Sequence, residues 1–344
     1  MRKSLRIFAR QIIKCIASVI LIFGLLGCSS PAVLTDLQEY RSRITNVLDL
    51  SLDDLETNIT LYFPNSNELK VSVPETTINL RDFYALNNCH VSTLIAQRNT
   101  ALGKVQLPST RFVYEKKLIA GLQHCLSLSS DKKQQQQLSS WLELKRQSIP
   151  LVWASLMQNS SEMKKTMSDN QLLFSENESS ASQGYRQSLA YLLEIHSQSQ
   201  VDIKNVEEAL NTLRQNPQLA KIWRTQQLIT QHLKSLTSEL QTAAPTLQCH
   251  TPESRQKVGY LANVFRLFFV ERIQPLASEL NQVTYQLTPH LEALQQHSEL
   301  SPAFKHFVRQ NQQAFAGYQQ AMQEHVAQWQ NLFKQCGISP MDIH

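Results

Sequence analysis

The sequence predicts an all-α protein, an elongated multi-helix bundle of antiparallel helical hairpins, and three observations lead to this prediction. Only 8 of the 344 residues are glycine, about a third of the usual share of about 7%, which argues against hairpin-rich sandwiches and glycine-loop nucleotide folds. Apolar residues recur every three or four positions along most of the chain, as on one face of an α-helix. The apolar fraction of 42% is ordinary, so a chain of this length can bury a real core.

The N-terminus predicts a lipoprotein signal peptide over residues 1–27. Five basic residues precede or flank the apolar run from Cys15 to Leu26, which is shorter than the roughly 20 residues that cross a bilayer. The sequence Leu25-Leu26-Gly27-Cys28 resembles the lipobox of bacterial lipoproteins, in which the cysteine is acylated and becomes the new N-terminus. This resemblance implies lipidation of Cys28 and, since Ser29 and not Asp follows it, an outer-membrane anchor that faces the periplasm.

The charge of the mature chain argues against nucleic-acid binding. Removal of residues 1–27 leaves 28 basic and 28 acidic residues, so the net charge of +5 belongs to the signal peptide. Recognition of phosphate backbones needs a clustered positive surface. The expected partners are therefore the membrane, through the lipid anchor at Cys28, and an envelope protein, with no nucleic acid.

The helical spacing divides the mature chain into two halves. Helices are expected over residues 31–49, 80–102, 109–128, 132–158, 185–196, 201–214, 218–243, 253–296 (broken at Pro275 and Pro289) and 302–334. The N-terminal half is 28–158 and the C-terminal half is 185–344. Residues 159–184, rich in Ser, Asn and Glu, are expected to form a flexible linker around one short helix. Alternating apolar residues within 57–73 predict one short extended or β-hairpin segment.

Four cysteines remain besides Cys28, and they predict two disulfides, because an even number in an oxidising compartment is typical of disulfide pairing. Of the three connectivities, Cys89 with Cys125 and Cys249 with Cys336 is favoured. Three of these cysteines have an adjacent histidine, which raises the alternative of a zinc site. Adjacent helical residues point about 100° apart and no C-x-x-C spacing is present, so no metal is expected.

Two charged residues interrupt the apolar stripes of the hairpin over residues 80–128: Arg98 lies in the stripe of Val91, Leu94 and Leu102, and Glu115 lies in that of Phe112, Ile119 and Leu122. In an antiparallel helix pair, facing positions have a nearly constant index sum, and Cys89 with Cys125 and Arg98 with Glu115 give nearly the same sum. We therefore expect a buried ion pair between Arg98 and Glu115. Its simplest role is structural, because loss of one partner strands a buried charge. The alternative is a charged site for a ligand carboxylate or for acid–base chemistry.

A family resemblance rests on the same hairpin. The block CHVSTLIAQRNTALGKV over residues 89–105, followed by Pro108-Ser109, Phe112-Val113-Tyr114-Glu115 and Cys125, resembles the Domain of Unknown Function 3080 family of Gram-negative envelope lipoproteins. Thr100 stands where the family pattern has serine. The resemblance implies an envelope location and supports the pairing of Arg98 with Glu115, and it implies no activity.

The C-terminal half carries two further stripes with polar exceptions. A heptad-like seam predicts helix packing through Phe304, Val308, Asn311, Phe315, Tyr318, Met322, His325, Trp329, Leu332 and Cys336. We expect Asn311 to fix register and His325 to be a hydrogen-bonded core residue. The helix over 258–273 is apolar nearly all round and is expected to be central, with Arg266 paired to Glu271 or Glu279.

The search for catalytic motifs finds no P-loop, G-x-S-x-G, HExxH or Rossmann glycine pattern, so no cofactor is expected and catalytic residues stay unknown. This favours a non-enzymatic protein-interaction or scaffolding module of the cell envelope. The alternative is a binding protein or hydrolase for an envelope glycan, peptide or lipid, with Arg98, Glu115 or Arg266 in a cleft between the two halves. A sealed Arg98–Glu115 pair would exclude a site at those residues, whereas Trp and Tyr residues lining an open groove would favour one.

Overall fold

A computed structural model describes residues 32–51, 53–86, 89–168, 171–247 and 249–338, with the backbone alone for 179–181. The signal peptide, Cys28 and Pro31 lie outside the described residues, and so do residues 339–344. Predictions that concern them stay predictions.

The described part of the chain is all-α and contains no strand, which confirms the predicted fold class. Its helices are α1 (Ala32–Leu48), α2 (Leu80–Tyr84), α3 (Val91–Arg98), α4 (Ala101–Lys104), α5 (Pro108–Leu128), α6 (Lys132–Asn159), α7 (Ser161–Met167), α8 (Ser179–Glu194), α9 (Ile203–Gln215), α10 (Gln218–Ala243), a 3₁₀ turn (Ala244–Thr246), α11 (Pro252–Val264), a π segment (Phe265–Ile273), α12 (Gln274–Gln296) and α13 (Pro302–Gln335). None of these described helices is both long and apolar enough to span a bilayer.

The segment over residues 57–73 has no regular secondary structure apart from a turn at 66–69, and it pairs with no strand in the described chain. Helix side chains bond to its backbone carbonyls instead: Gln158 Nε2 donates to Leu69 O at 2.7 Å and Arg224 Nε donates to Ile59 O at 2.9 Å. Leu61 and Leu69 are buried in the core. The hairpin alternative does not form, because the helices satisfy backbone groups that a second strand would use.

One cluster of buried apolar side chains runs from Val33 in α1 to Phe333 in α13. It includes Met163 and Met167 of α7 and Phe174, all at most 1% exposed. These residues lie within 159–184, the segment that was expected to form a flexible linker. In the structure they pack into the core that both halves share. Lys116 of α5 also connects the two halves, since its Nζ donates hydrogen bonds to the backbone carbonyls of His196 and Gln198, just after α8.

A second, smaller apolar cluster lies between α3, α5 and α6. Its members include Val91, Leu118, Leu122 and Trp141. A Cβ on Gly121 would lie 2.7 Å from Val91 Cγ2, so the glycine allows α3 and α5 to approach closely. This contact confirms the antiparallel register that the sequence predicted for the hairpin.

The helix expected over residues 80–102 is broken into α2, α3 and α4, which corrects the prediction. Thr100 is the N-cap of α4, and its Oγ1 accepts from Gly103 N at 3.0 Å. A Cβ on Gly103 would lie 2.2 Å from Gln97 O, so only glycine allows the tight turn. The turn rotates Leu102 away from the packed stripe where it was expected and leaves it 88% exposed.

The helix expected to break at Pro275 instead continues through the π segment, where Gln274 N–H donates to Phe269 O five residues earlier. Arg266 Nη1 lies 2.6 Å from Glu271 Oε1, which confirms one of the two predicted partners, since residues five apart are neighbours on a π-helix. The segment is not fully buried, because Leu267 and Val270 are about 40% exposed. The helix with the most buried residues is α10, with 15 of its 26.

Candidate functional site

Both predicted disulfides are present in the structure. Cys89 and Cys125 join the residues before α3 to the last turns of α5, with their Cα atoms 5.7 Å apart. Cys249 and Cys336 join the loop before α11 to the end of α13, with their Cα atoms 5.1 Å apart. The cysteines beside histidines are therefore disulfide-bonded, and the described residues contain no group of three or more His, Cys, Asp or Glu placed to hold a metal ion.

Beside the first disulfide, a cleft of about 570 Å³ opens between α3, α5, α6 and residues 75–78. Four cations line it: Arg98 from α3, Lys104 from α4, Arg111 from α5 and Lys145 from α6. The carboxylates that line it are those of Glu75 and Glu115, so cations outnumber carboxylates by two. Tyr114 and Trp141 supply aromatic surface.

Glu115 is buried and ion-paired, but its partners differ from the predicted one. It contacts the Arg111 guanidinium one turn earlier on α5, and Lys145 Nζ lies 3.1 Å from its Oε2. Arg98 forms no ion pair with Glu115 and donates instead to the carbonyl of Gly103. The predicted Arg98–Glu115 pair is wrong in this respect, because α3 ends at Arg98 and the turn into α4 offers that side chain a nearer acceptor.

The electrostatics of the cleft favour an added negative charge. Burial lowers the pKa of Arg98, and the neighbouring Arg111 cation lowers this pKa further. Burial, followed by the charge of Glu115, raises the pKa of Tyr114 to about 12, so its hydroxyl is protonated at neutral pH and can donate a hydrogen bond. An anion between Arg98 and Arg111 would relieve the repulsion between them.

The residue types that line the cleft favour the binding of a ligand. The described lining residues include no His, Ser, Cys or Asp, and the hydroxyls of Thr76 and Thr77 form no hydrogen bond with a lining carboxylate or amine that could act as a base. The lining residues Arg98, Lys104, Asn99 and Tyr114 carry guanidinium, ammonium, amide and phenol donors. Such convergent donors orient an anion and fix its position.

His325, by contrast, is a sealed core residue, as the seam predicted. Its Nδ1 lies 2.9 Å from Thr237 Oγ1, which donates to a backbone carbonyl and therefore accepts from the ring. Its Nε2 then accepts from Tyr40 Oη at 2.8 Å and Trp329 Nε1 at 3.0 Å. Burial lowers the pKa of His325 to about 3, so the ring is neutral. Asn311 bonds to a carbonyl of its own helix and to Gln227, in the structural role expected for it.

A family model described as a protein of unknown function (DUF3080) matches residues 37–340. The chain belongs to this family. No curated protein and no solved structure matches it. The hairpin motifs of this DUF3080 protein therefore predicted its family correctly.

In this DUF3080 protein, the motif residues on which the resemblance rested lie around the cleft. Arg98, Asn99, Lys104, Tyr114 and Glu115 all line it. Sequence reasoning brought Arg98 and Glu115 to the same place but did not find the cleft between them.

The lining residues that the sequence analysis missed include Arg111, Trp141 and Lys145. A signal for two of them was available. Arg111 precedes Glu115 by four residues, the spacing of helical ion pairs. Lys145 interrupts an apolar stripe of α6 in the way that Glu115 interrupts one of α5.

Proposed function

We propose that this protein is an outer-membrane lipoprotein, anchored through Cys28 and facing the periplasm, that binds an anionic ligand of the cell envelope in the cleft between α3, α5 and α6. The observation that carries the proposal is Arg98. It is partly buried, lines an open cleft and has no carboxylate within ion-pair distance among the described residues. Glu115 and Glu75 stabilise its charge only from beyond ion-pair distance, so a bound anion would add a direct counter-charge.

The envelope location is supported by the lipobox resemblance and by two disulfides, which persist in oxidising compartments. A short tether separates Cys28 from the start of α1 at Ala32. The lipid anchor is tested with Cys28→Ser, which should remove the protein from the outer-membrane fraction. Retention of this variant in the outer membrane would contradict the anchor.

A binding role is supported over a purely scaffolding one by the open cleft. Tyr114 and Trp141 line it beside the cations, and a pocket of this size, with apolar walls and a few convergent polar groups, is typical of small-molecule sites. A hydrolase is less well supported, because none of the described lining hydroxyls is hydrogen-bonded to a carboxylate or amine that would activate it.

The binding proposal is tested by native mass spectrometry of the full-length protein purified from membranes. The wild type should carry an anionic adduct that Arg98→Gln loses. The matched control is Arg146→Gln, since Arg146 is an exposed cation on α6, next to Lys145, and does not line the cleft. An adduct that persists in Arg98→Gln, or is lost equally in Arg146→Gln, would contradict binding in the cleft.

A further inference from the structure

The cleft has a polar end and an apolar end, and the helix register sets both. Along α5 the lining residues change from Arg111 and Tyr114 to Leu118 and Leu122. Because α3 runs antiparallel to α5, its Ile95 lies toward the leucines and its Arg98 toward the arginine.

Helix α6, the third wall of the cleft, also changes from a polar to an apolar lining residue. On α6, Lys145 pairs with Glu115 at the polar end. Trp141 lies one turn earlier on this antiparallel helix and packs in the apolar cluster with Leu118 and Leu122. A ligand that fills the cleft therefore needs an anionic group joined to an apolar part.

Three strongly exposed apolar side chains lie within six residues of the chain, on either side of Lys104, which lines this cleft. Leu102 is 88% exposed, Val105 is 86% exposed and Leu107 is 67% exposed. Single exposed apolar residues are ordinary, but three so close in sequence suit an interaction surface. Apolar side chains beside a cation suit the interface of an anionic lipid surface.

We propose that Leu102, Val105 and Leu107 dock on an anionic lipid surface and that the cleft takes the head and upper acyl segment of one anionic lipid from it. The head would lie between Arg98 and Arg111, and the acyl segment against the apolar end. This inference rests on the proposed function and names its ligand class. The lipid anchor proposed at Cys28 would keep such a surface within reach of the chain.

Docking is tested with the mature chain, residues 28–344, carrying Cys28→Ser, so that neither an acyl group nor the signal peptide anchors it, by co-sedimentation with vesicles. We expect at least about tenfold more binding to phosphatidylethanolamine vesicles containing phosphatidylglycerol than to those containing phosphatidylcholine, since each cation near an anionic surface strengthens binding several-fold. Replacing Leu102, Val105 and Leu107 together by serine should lower binding by about tenfold or more, through loss of apolar insertion.

The matched control is Leu128→Ser. Leu128 is 63% exposed and lies at the opposite end of α5 from the docking residues, so its replacement should leave vesicle binding unchanged. Equal binding to both kinds of vesicle, no binding to either, or no effect of the triple serine variant would overturn the docking proposal.

Occupancy of the cleft is tested by titrating the same chain with dihexanoyl phosphatidylglycerol, a soluble lipid, and with glycerol phosphate, which has no acyl chain. The lipid should bind at least about tenfold more tightly, because only it fills the apolar end. Arg98→Gln should weaken both.

The two titrations separate the inference from the function on which it rests. If glycerol phosphate binds as tightly as the lipid and Arg98→Gln abolishes that binding, the cleft is an anion site and the lipid inference is overturned while the proposed function stands. If neither probe binds, both are overturned.

Discussion

In one disulfide-bonded region of the molecule a polar residue on an apolar stripe is sealed in the core, and in the other such a residue lies beside an open cleft. Near Cys336, His325 is 0% exposed, and both ring nitrogens have hydrogen-bond partners. Near Cys125, Glu115 is 1% exposed, but its partner Arg111 remains 26% exposed at an open cleft. In sequence both are polar residues that interrupt an apolar stripe.

The difference between the regions lies in what covers each helix. Helices α1, α10 and the π segment surround His325 through Tyr40, Thr237 and Phe269. Over the polar half of the α3–α5 hairpin lie residues 75–78, a segment without regular secondary structure, which leaves a cleft. A polar residue in an apolar stripe thus becomes structural or accessible according to the third element that packs over it.

Removal of a disulfide is expected to have the largest effect, and it distinguishes the two regions. Replacing either pair by serines should lower the free energy of unfolding by about 4 kcal/mol in a chain-entropy account, since the cysteines are 36 and 87 residues apart. Urea denaturation measures this loss. Only the Cys89/Cys125 variant should also lose anion binding, because this disulfide holds α3 against α5. Equal loss of binding from the Cys249/Cys336 variant would contradict the assignment of the cleft to the first region.

Glu115→Gln should have the next largest effect, and it should move stability and binding in opposite directions. Removing the shared partner of Arg111 and Lys145 strands two cations, so stability should fall by about 3 kcal/mol, the lower end for buried pairs, because the cleft admits water. Anion affinity should rise severalfold as the cleft loses a negative charge. The control is Glu143→Gln, at an exposed position of α6, measured by denaturation and titration. A fall in affinity would contradict an anion site.

The histidines should make the core region sensitive to acid. Burial lowers the pKa of His325 to about 3, and burial together with Arg41 lowers the pKa of His232 to about 4. An unfolded histidine titrates near 6.5, so below that pH the unfolded chain binds more protons and the free energy of unfolding falls. At pH 5 the loss from His325 is about 2 kcal/mol.

Denaturation measured between pH 6.5 and 5 checks this dependence. His325→Gln should remove the largest share of the slope, and His232, His290 and His297, whose pKa values burial also lowers, contribute to the rest. The control is His306→Gln, since His306 is exposed and should leave the slope unchanged. A slope that survives unaltered in His325→Gln would show that the ring is not held neutral.

The smallest expected effect on stability is that of Lys104→Gln. Lys104 is exposed, so the free energy of unfolding should change by less than about 0.5 kcal/mol, while anion binding should weaken several-fold. Lys117→Gln is the matched control, because Lys117 is an exposed cation of α5 that does not line the cleft. Equal weakening in both variants would indicate a general charge effect in place of a site.

The sequence by itself determined what depends on local spacing. Helix periodicity predicted α10 with its observed bounds, Gln218–Ala243, because apolar positions in a helix repeat every three or four residues whatever packs against them. The number of cysteines and the expected compartment predicted the two disulfides, and the apolar stripe predicted a hydrogen-bonded core role for His325.

Only the tertiary structure decided which groups meet when several compete. Arg111, Lys145 and Arg98 were all within reach of Glu115 in principle, and the turn at Gly103 turned Arg98 toward a carbonyl. The same turn exposed Leu102, which periodicity had placed inside. Residue spacing specifies which face of a helix is apolar. Helix caps, close approaches between helices and the element that packs over the face decide whether it is sealed or open. These features depend on residues far apart in sequence, so spacing alone does not predict them.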